Sequence, residues 1–173
     1  METSTEKYEI RKAMITIDDR NQFLQIIQGI ARLHSVHIVC FDADKMAGQA
    51  HAKAAIHHSH RSFFFGKPIS NSFEMEALLF AAGTRQCQEA ASFGIKEGEN
   101  TMFICSYPVN ELVWSDLSCH MHFVDEICDD MTPQKEERLA SLFNITQEEL
   151  EVVGRDRIID LILERIALLY VNR

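Results

Sequence analysis

The segment Asp156 to Val171 narrows the range of folds open to this chain more than any other. Ile158, Ile159, Leu161, Ile162, Leu163, Ile166, Leu168, Leu169 and Tyr170 leave only a narrow polar stripe at Arg157, Asp160 and Glu164. A surface helix needs an apolar face of roughly 100° and keeps the rest wet. This one is apolar over more than half its circumference, so it is either sunk into a core or packed on its own core with one side and on a partner with the other. Each leucine or isoleucine so covered contributes about 1.5–3 kcal/mol, and a few suffice for a specific interface.

The rest of the chain supplies a sheet for such a helix to cover. Tyr8 to Thr16 carries β-branched and aromatic residues in partial alternation and predicts a strand. Asp18-Asp19 ends it, and either aspartate can cap the amphipathic helix predicted from Asn21 to Leu33. Val36 to Phe41 reads as a short buried strand. Asp42 to Phe65 is alanine-rich and predicts one long helix, started by Asp42 or Asp44 and stopped by Gly66 and Pro68. Asn71 and Glu74 have the spacing of a capping box for a helix that ends at Gly83, and a third helix is expected from Thr84 to Phe93. Strands are expected over Thr101 to Tyr107 and Cys119 to Val124. Thr132-Pro133 and Thr146-Gln147-Glu148-Glu149 then open the helices of the C-terminal quarter. The expected fold is α+β: one domain spanning residues 1–173, a small mixed sheet flanked by several helices, with a helical C-terminus.

Charge separates two surfaces. The net charge of −9 argues against a nucleic-acid partner, yet the average conceals an asymmetry. From Lys45 to Phe73 there is no acid, only Lys45, Lys53, Arg61 and Lys67 with His51, His57, His58 and His60. From Glu97 to Glu151 thirteen acids face only Lys135 and Arg138. Such sidedness concerns partners rather than fold.

The basic stretch and the turn Gly83-Thr84-Arg85-Gln86 make a candidate groove for phosphates, the turn reading either as a helix-start anion site or as an ordinary interhelical connection. Lys53, His57, His60, Arg61, Lys67, Thr84 and Arg85 are its candidate contacts. Phe63, Phe64 and Phe65 could offer a ring for a base to stack on, although three successive helical positions cannot share a face.

Catalytic chemistry finds less support. There is no GxSxG elbow, Walker-type loop or GxGxxG, and no cofactor or small-molecule substrate is expected. Pairs such as Asp129-Asp130 and Glu136-Glu137 read as solvated helix-end charges. His57 and His60, three apart on a helix, and His120 and His122 beside Cys119 leave a metal-dependent hydrolase as the alternative, without an HExxH or a close cysteine pair to support it. Five cysteines without a close pair fit reduced, buried thiols. Met1 to Lys12 lacks the apolar stretch of an export signal and no segment reaches membrane-spanning length, so a cytoplasmic protein is expected.

The residues also resemble a known family. Ala55-Ile56-His57-His58-Ser59-His60-Arg61-Ser62-Phe63, Gly66-Lys67-Pro68-Ile69-Ser70 and Phe73 to Gln86 are similar to the archaeal kinase-binding subunit of the KEOPS complex, as are Phe143 to Leu150 and Val152 to Leu161. The resemblance runs through most of the chain in order and is weakest from Glu97 to Pro133. It implies an α+β subunit of the machinery that installs threonylcarbamoyl on adenosine 37 of tRNAs. Such a subunit is not itself the enzyme: it docks on the complex's small atypical protein kinase and, in archaeal members, holds the single-stranded 3′ CCA end of tRNA. By position, the resemblance puts the tRNA end at Arg61, Lys67 and Thr84-Arg85, and the kinase on the last helix around Ile158, Ile162, Ile166 and Leu169. A purely structural interaction subunit that never touches RNA is the remaining alternative.

Overall fold

The computed structural model of the protein describes residues 7–125 and 131–172. Its sheet has the strand order β2-β3-β1-β4, where β1 is Glu9–Ile17, β2 His37–Asp42, β3 Gly98–Tyr107 and β4 His122–Phe123. The long ladder pairs β1 with β3 from Glu9 opposite Ser106 to Ile17 opposite Gly98. β2 pairs with the other side of β3, from His37 opposite Tyr107 to Asp42 opposite Met102. All neighbouring strands are antiparallel, so the sheet is not mixed as expected. β1 and β2 do run in the same direction, as the helical crossover between them requires, but β3 lies between them.

Side-chain alternation divides the core in two. Ile10, Val39, Phe41, Phe103 and Cys105 face one side of the sheet, where helices α2 (Gln49–Phe64), α3 (Phe73–Ala82) and α8 (Ile158–Val171) pack. Ala13, Ile17, Ile38, Met102 and Ile104 face the other, covered by α1 (Arg20–His34) and α5 (Glu111–Leu117). Both faces of β2 are therefore buried, which is why its sequence reads as a continuous apolar run instead of an alternating one.

The helix ends follow capping chemistry. Asp19 caps α1 by accepting from the Gln22 N–H, and Gly83 closes α3 in the left-handed conformation. Thr132 caps α6 (Pro133–Leu142) with proline in its first turn, and Thr146 with Glu149 forms the full capping box of α7 (Gln147–Val153).

Four local expectations are corrected. Asp42 caps only a short 3-10 turn, Ala43–Lys45, and α2 begins at Gln49, because buried Met46 and Ala47 and the positive-φ Gly48 break the helix there. Ser72, not Asn71, caps α3, accepting from the Met75 N–H at 3.2 Å. The helix after Gly83 is only α4, Cys87–Ala91, since Thr84 Oγ1 takes the Gln86 N–H and holds the chain in a turn. The strand expected over Cys119 to Val124 shrinks to two residues, preceded by the unexpected α5, which Asn110 caps through the Leu112 N–H.

Two buried polar groups tie the α2–α3 layer together. His51 Nδ1 accepts from the Ala47 N–H at 3.0 Å, which leaves Nε2 protonated to donate to the Ala81 carbonyl at 2.9 Å. Burial holds this imidazole neutral and lowers its pKa to about 4. Glu76 accepts from the Ile69 and Ser70 N–H groups and so anchors the loop between α2 and α3.

Of the described cysteines, Cys105 is buried and Cys40 half-buried, but Cys87 and Cys119 are exposed, against the expectation of buried thiols throughout. Cys128 and the Asp129-Asp130 pair lie outside the described residues.

Candidate nucleic-acid and partner interface

Lys53, His57, His60 and Arg61 fall at positions 0, 4, 7 and 8 along α2 and so share one stripe of the helix. Phe64, one further turn along, extends that stripe and is 75% exposed. The His60 ring stacks on Phe64 at 6.3 Å and meets Tyr107 edge-on at 5.5 Å. Its pKa is lowered by burial and by the nearby Lys7 and His57. None of Phe63, Phe64 and Phe65 is buried, although Phe63 leans on Phe73 with 5.9 Å between ring centres.

The far end of the stripe meets the end of α8. The Arg61 guanidinium lies 4.5 Å from the centre of the Tyr170 ring. From the other side, Arg85 Nη2 donates to the Asn172 carbonyl at 2.7 Å. A helix C-terminus carries unsatisfied carbonyls and partial negative charge, which holds Arg85, whereas Arg61 is held by the face of the Tyr170 ring. Arg61, from α2, and Arg85, from the α3–α4 turn, thus both meet the C-terminal end of α8. Lys67 is exposed just past α2, where its N–H bonds the Ser62 carbonyl.

Thr84 is engaged within its own turn. Its hydroxyl donates to Glu89 Oε2 at 2.9 Å and accepts from the Gln86 N–H at 3.1 Å. A carboxylate thus sits beside the turn, and one of the N–H groups that could meet an anion is already taken. Positive charge at this corner comes from Arg85 and Arg61 rather than from the turn's backbone.

On α8, Ile158, Ile162 and Ile166 face inward and are each no more than 1% exposed, and Leu169 is half-buried at the edge of the same core. The apolar groups that α8 turns to solvent are Leu168, 47% exposed, and Val171, 72% exposed. Arg165 stands between the two sides. It donates to the carbonyls of Phe143 and Asn144 and makes a paired contact with both oxygens of Glu149, locking α8 to the α6–α7 connection. Its bonds to Glu149 lead the interactions that hold that carboxyl below its ordinary range.

Tyr170 and Asn172 complete this corner but carry no sequence signal of it. Tyr170 reads as one more apolar position on a helix, and Asn172 contributes only its backbone carbonyl. Among the described residues no group of three or more His, Cys, Asp or Glu is arranged to hold an ion. Nor is any helix among them long and apolar enough to cross a membrane.

No protein-family model matches the chain. Over 138 residues it is 28% identical to the regulatory protein Cgi121 of Methanocaldococcus jannaschii, an alignment covering 76% of this chain and 82% of that protein. The chain is similar to Cgi121. This bears out the resemblance read from the residue strings of α2, α3 and the C-terminal helices. The alignment covers most of both proteins, so the likeness to Cgi121 extends well beyond a shared local motif.

Proposed function

We propose that the protein is a non-catalytic regulatory subunit of a KEOPS-type tRNA-threonylcarbamoylation assembly, one that docks on the small atypical kinase and holds the 3′ CCA end of tRNA. The observation that carries this reading is the convergence of Arg61 and Arg85 on the end of α8, at one end of an acid-free basic stripe. The similarity to a regulatory protein supports the accessory role.

In this reading, the phosphates of the single-stranded end run along Lys53, His57, Arg61 and Arg85, and a base stacks on exposed Phe64. Lys67 adds charge past the helix end. The thirteen acids between Glu97 and Glu151 repel RNA elsewhere and confine it to this face. The kinase packs on the outward side of α8, where Leu168 and Val171 await cover and Leu169 borders them. The inward residues Ile158, Ile162 and Ile166 set the position of that surface without touching the partner.

A gel-shift titration with tRNA carrying or lacking its CCA end tests the RNA half. Binding that depends on the CCA end and is lost in the Arg61→Ala/Arg85→Ala pair is expected. Equal affinity for the two RNAs would overturn it. Co-purification with the kinase, compared between the native chain and Leu168→Glu, tests the other half independently.

A further inference from the structure

The sheet ends on one side at β2, and part of this edge is open. In an antiparallel ladder, alternate residues turn their backbone groups toward the paired strand and the others turn them away. Asp42 donates its N–H outside the sheet, to the Phe93 carbonyl at 2.7 Å, so Asp42, Cys40 and Ile38 are the residues that face outward. The segment around Phe93 covers the Asp42 end, and Val36 is bonded to the Ala31 carbonyl at the other. Between them, the outward groups of Ile38 and Cys40 find no backbone partner among the described residues.

This gap forms the floor of a cleft of about 1040 Å³. α1 and α3, packed on opposite faces of the sheet, extend past β2 as its walls, with Leu24 and Ile27 on one and Met75 and Leu78 on the other. Apart from the segment around Phe93, the strand itself is not blocked: His37 to Asp42 contains no proline, lysine or bulge. At the rim, Arg20 and the exposed Arg32 of α1 supply positive charge. The acid on this rim, Glu74, is occupied by His37 at 2.7 Å.

We infer that β2 accepts an extended segment of a partner protein as a fifth strand, with apolar side chains directed to the helix walls and a carboxylate near Arg32. The floor offers donors and acceptors in the alternation that a peptide backbone returns, whereas phosphates only accept hydrogen bonds; this favours a peptide over a nucleic-acid strand. The inference does not rest on the tRNA reading, which concerns the Lys53–Arg85 face.

A random linear heptapeptide library displayed on phage, panned against the full chain, provides the probe. The expected enrichment is of β-branched or apolar residues at alternating positions with an acid at one end. A synthetic peptide of that consensus should shift the amide resonances of Ile38 and Cys40, and Arg32→Glu should weaken it about three- to tenfold. Cys40→Pro, which removes an outward N–H that the ladder does not use, should abolish binding; if it fails to fold, the exposed Arg32→Glu variant decides alone. Absence of a consensus, resonance shifts elsewhere, or affinity unchanged in Arg32→Glu would overturn the inference, as would an oligocytidine that produces the same shifts at lower concentration.

Discussion

Arg61 stands with its guanidinium 4.5 Å from the centre of the Tyr170 ring, so a residue proposed to meet RNA is positioned by the helix proposed to meet the kinase. Replacing Arg61 with Ala is expected to cost only about 0.5–1 kcal/mol of stability, the value of an exposed cation–π contact. It should nevertheless lower tRNA affinity and reduce the slope of log affinity against log salt by about one. Tyr170→Leu should keep the charge but loosen its placement, weakening binding with little change in that slope.

The two sides of α8 should respond to the same substitution in opposite ways. Ile162 is fully buried, and a glutamate there has no partner for its charge. Ile162→Glu is expected to unfold the chain, seen as loss of the cooperative thermal transition. Leu168 is 47% exposed, and Leu168→Glu should change stability by no more than about 0.5 kcal/mol while abolishing co-purification with the kinase.

His51 and His37 should give opposite pH dependences. Burial lowers the His51 pKa from 6.5 to about 4, so the unfolded chain binds its proton first. Its contribution is complete above pH 6.5 and is lost as pH falls toward 4, by at most about 3 kcal/mol. His37 is raised by its hydrogen bond to Glu74, so its contribution is present below pH 6.5 and is lost as pH rises through the elevated value. Denaturant midpoints of His37→Asn should therefore fall below the native chain's at pH 6 and converge with them at alkaline pH.

Arg165 should behave as a latch rather than as a surface charge. Arg165→Ala is expected to lose about 1–3 kcal/mol through its bonds to the carbonyls of Phe143 and Asn144. Arg165→Lys should recover little, because a single ammonium nitrogen cannot stand in both for Nε on the Phe143 carbonyl and for Nη2 on Glu149. Thermal unfolding of the three proteins provides the comparison.

Much of the framework could be read from local pattern. The α1 periodicity, the Thr132-Pro133 start and the Thr146 to Glu149 capping box all appear where their residues predict, because each depends on contacts within one turn. α5 escaped notice because its buried Val113, Trp114 and Leu117 are too few to establish a period, and the β-branched and aromatic pair Val113-Trp114 favours neither state. The start of α2 was set by packing of Met46 and Ala47, which overrode a strong helix propensity upstream.

The candidate site shows the same division. The acid-free run put Lys53, His57, His60 and Arg61 on one predicted helix, but their meeting with Arg85 at α8 depends on where α8 ends, a tertiary fact absent from either segment. For α8 itself, the pattern established that most of its surface is covered, yet the direction of the core was fixed only by packing against α2 and α3. That is why the pattern alone did not show that Ile158, Ile162 and Ile166 turn into the core.

The insertion of β3 between β1 and β2 has a bearing on the chain's synthesis. The first two strands, complete by Asp42, have no ladder with each other and can join a sheet only when Gly98–Tyr107 arrives. A nascent chain that emerges from its N-terminus therefore carries two unpaired apolar strands through the making of more than fifty further residues. Cleaving this protein between α4 and β3 should yield no folded half, and during translation the exposed β1 and β2 are where a chaperone would be needed most.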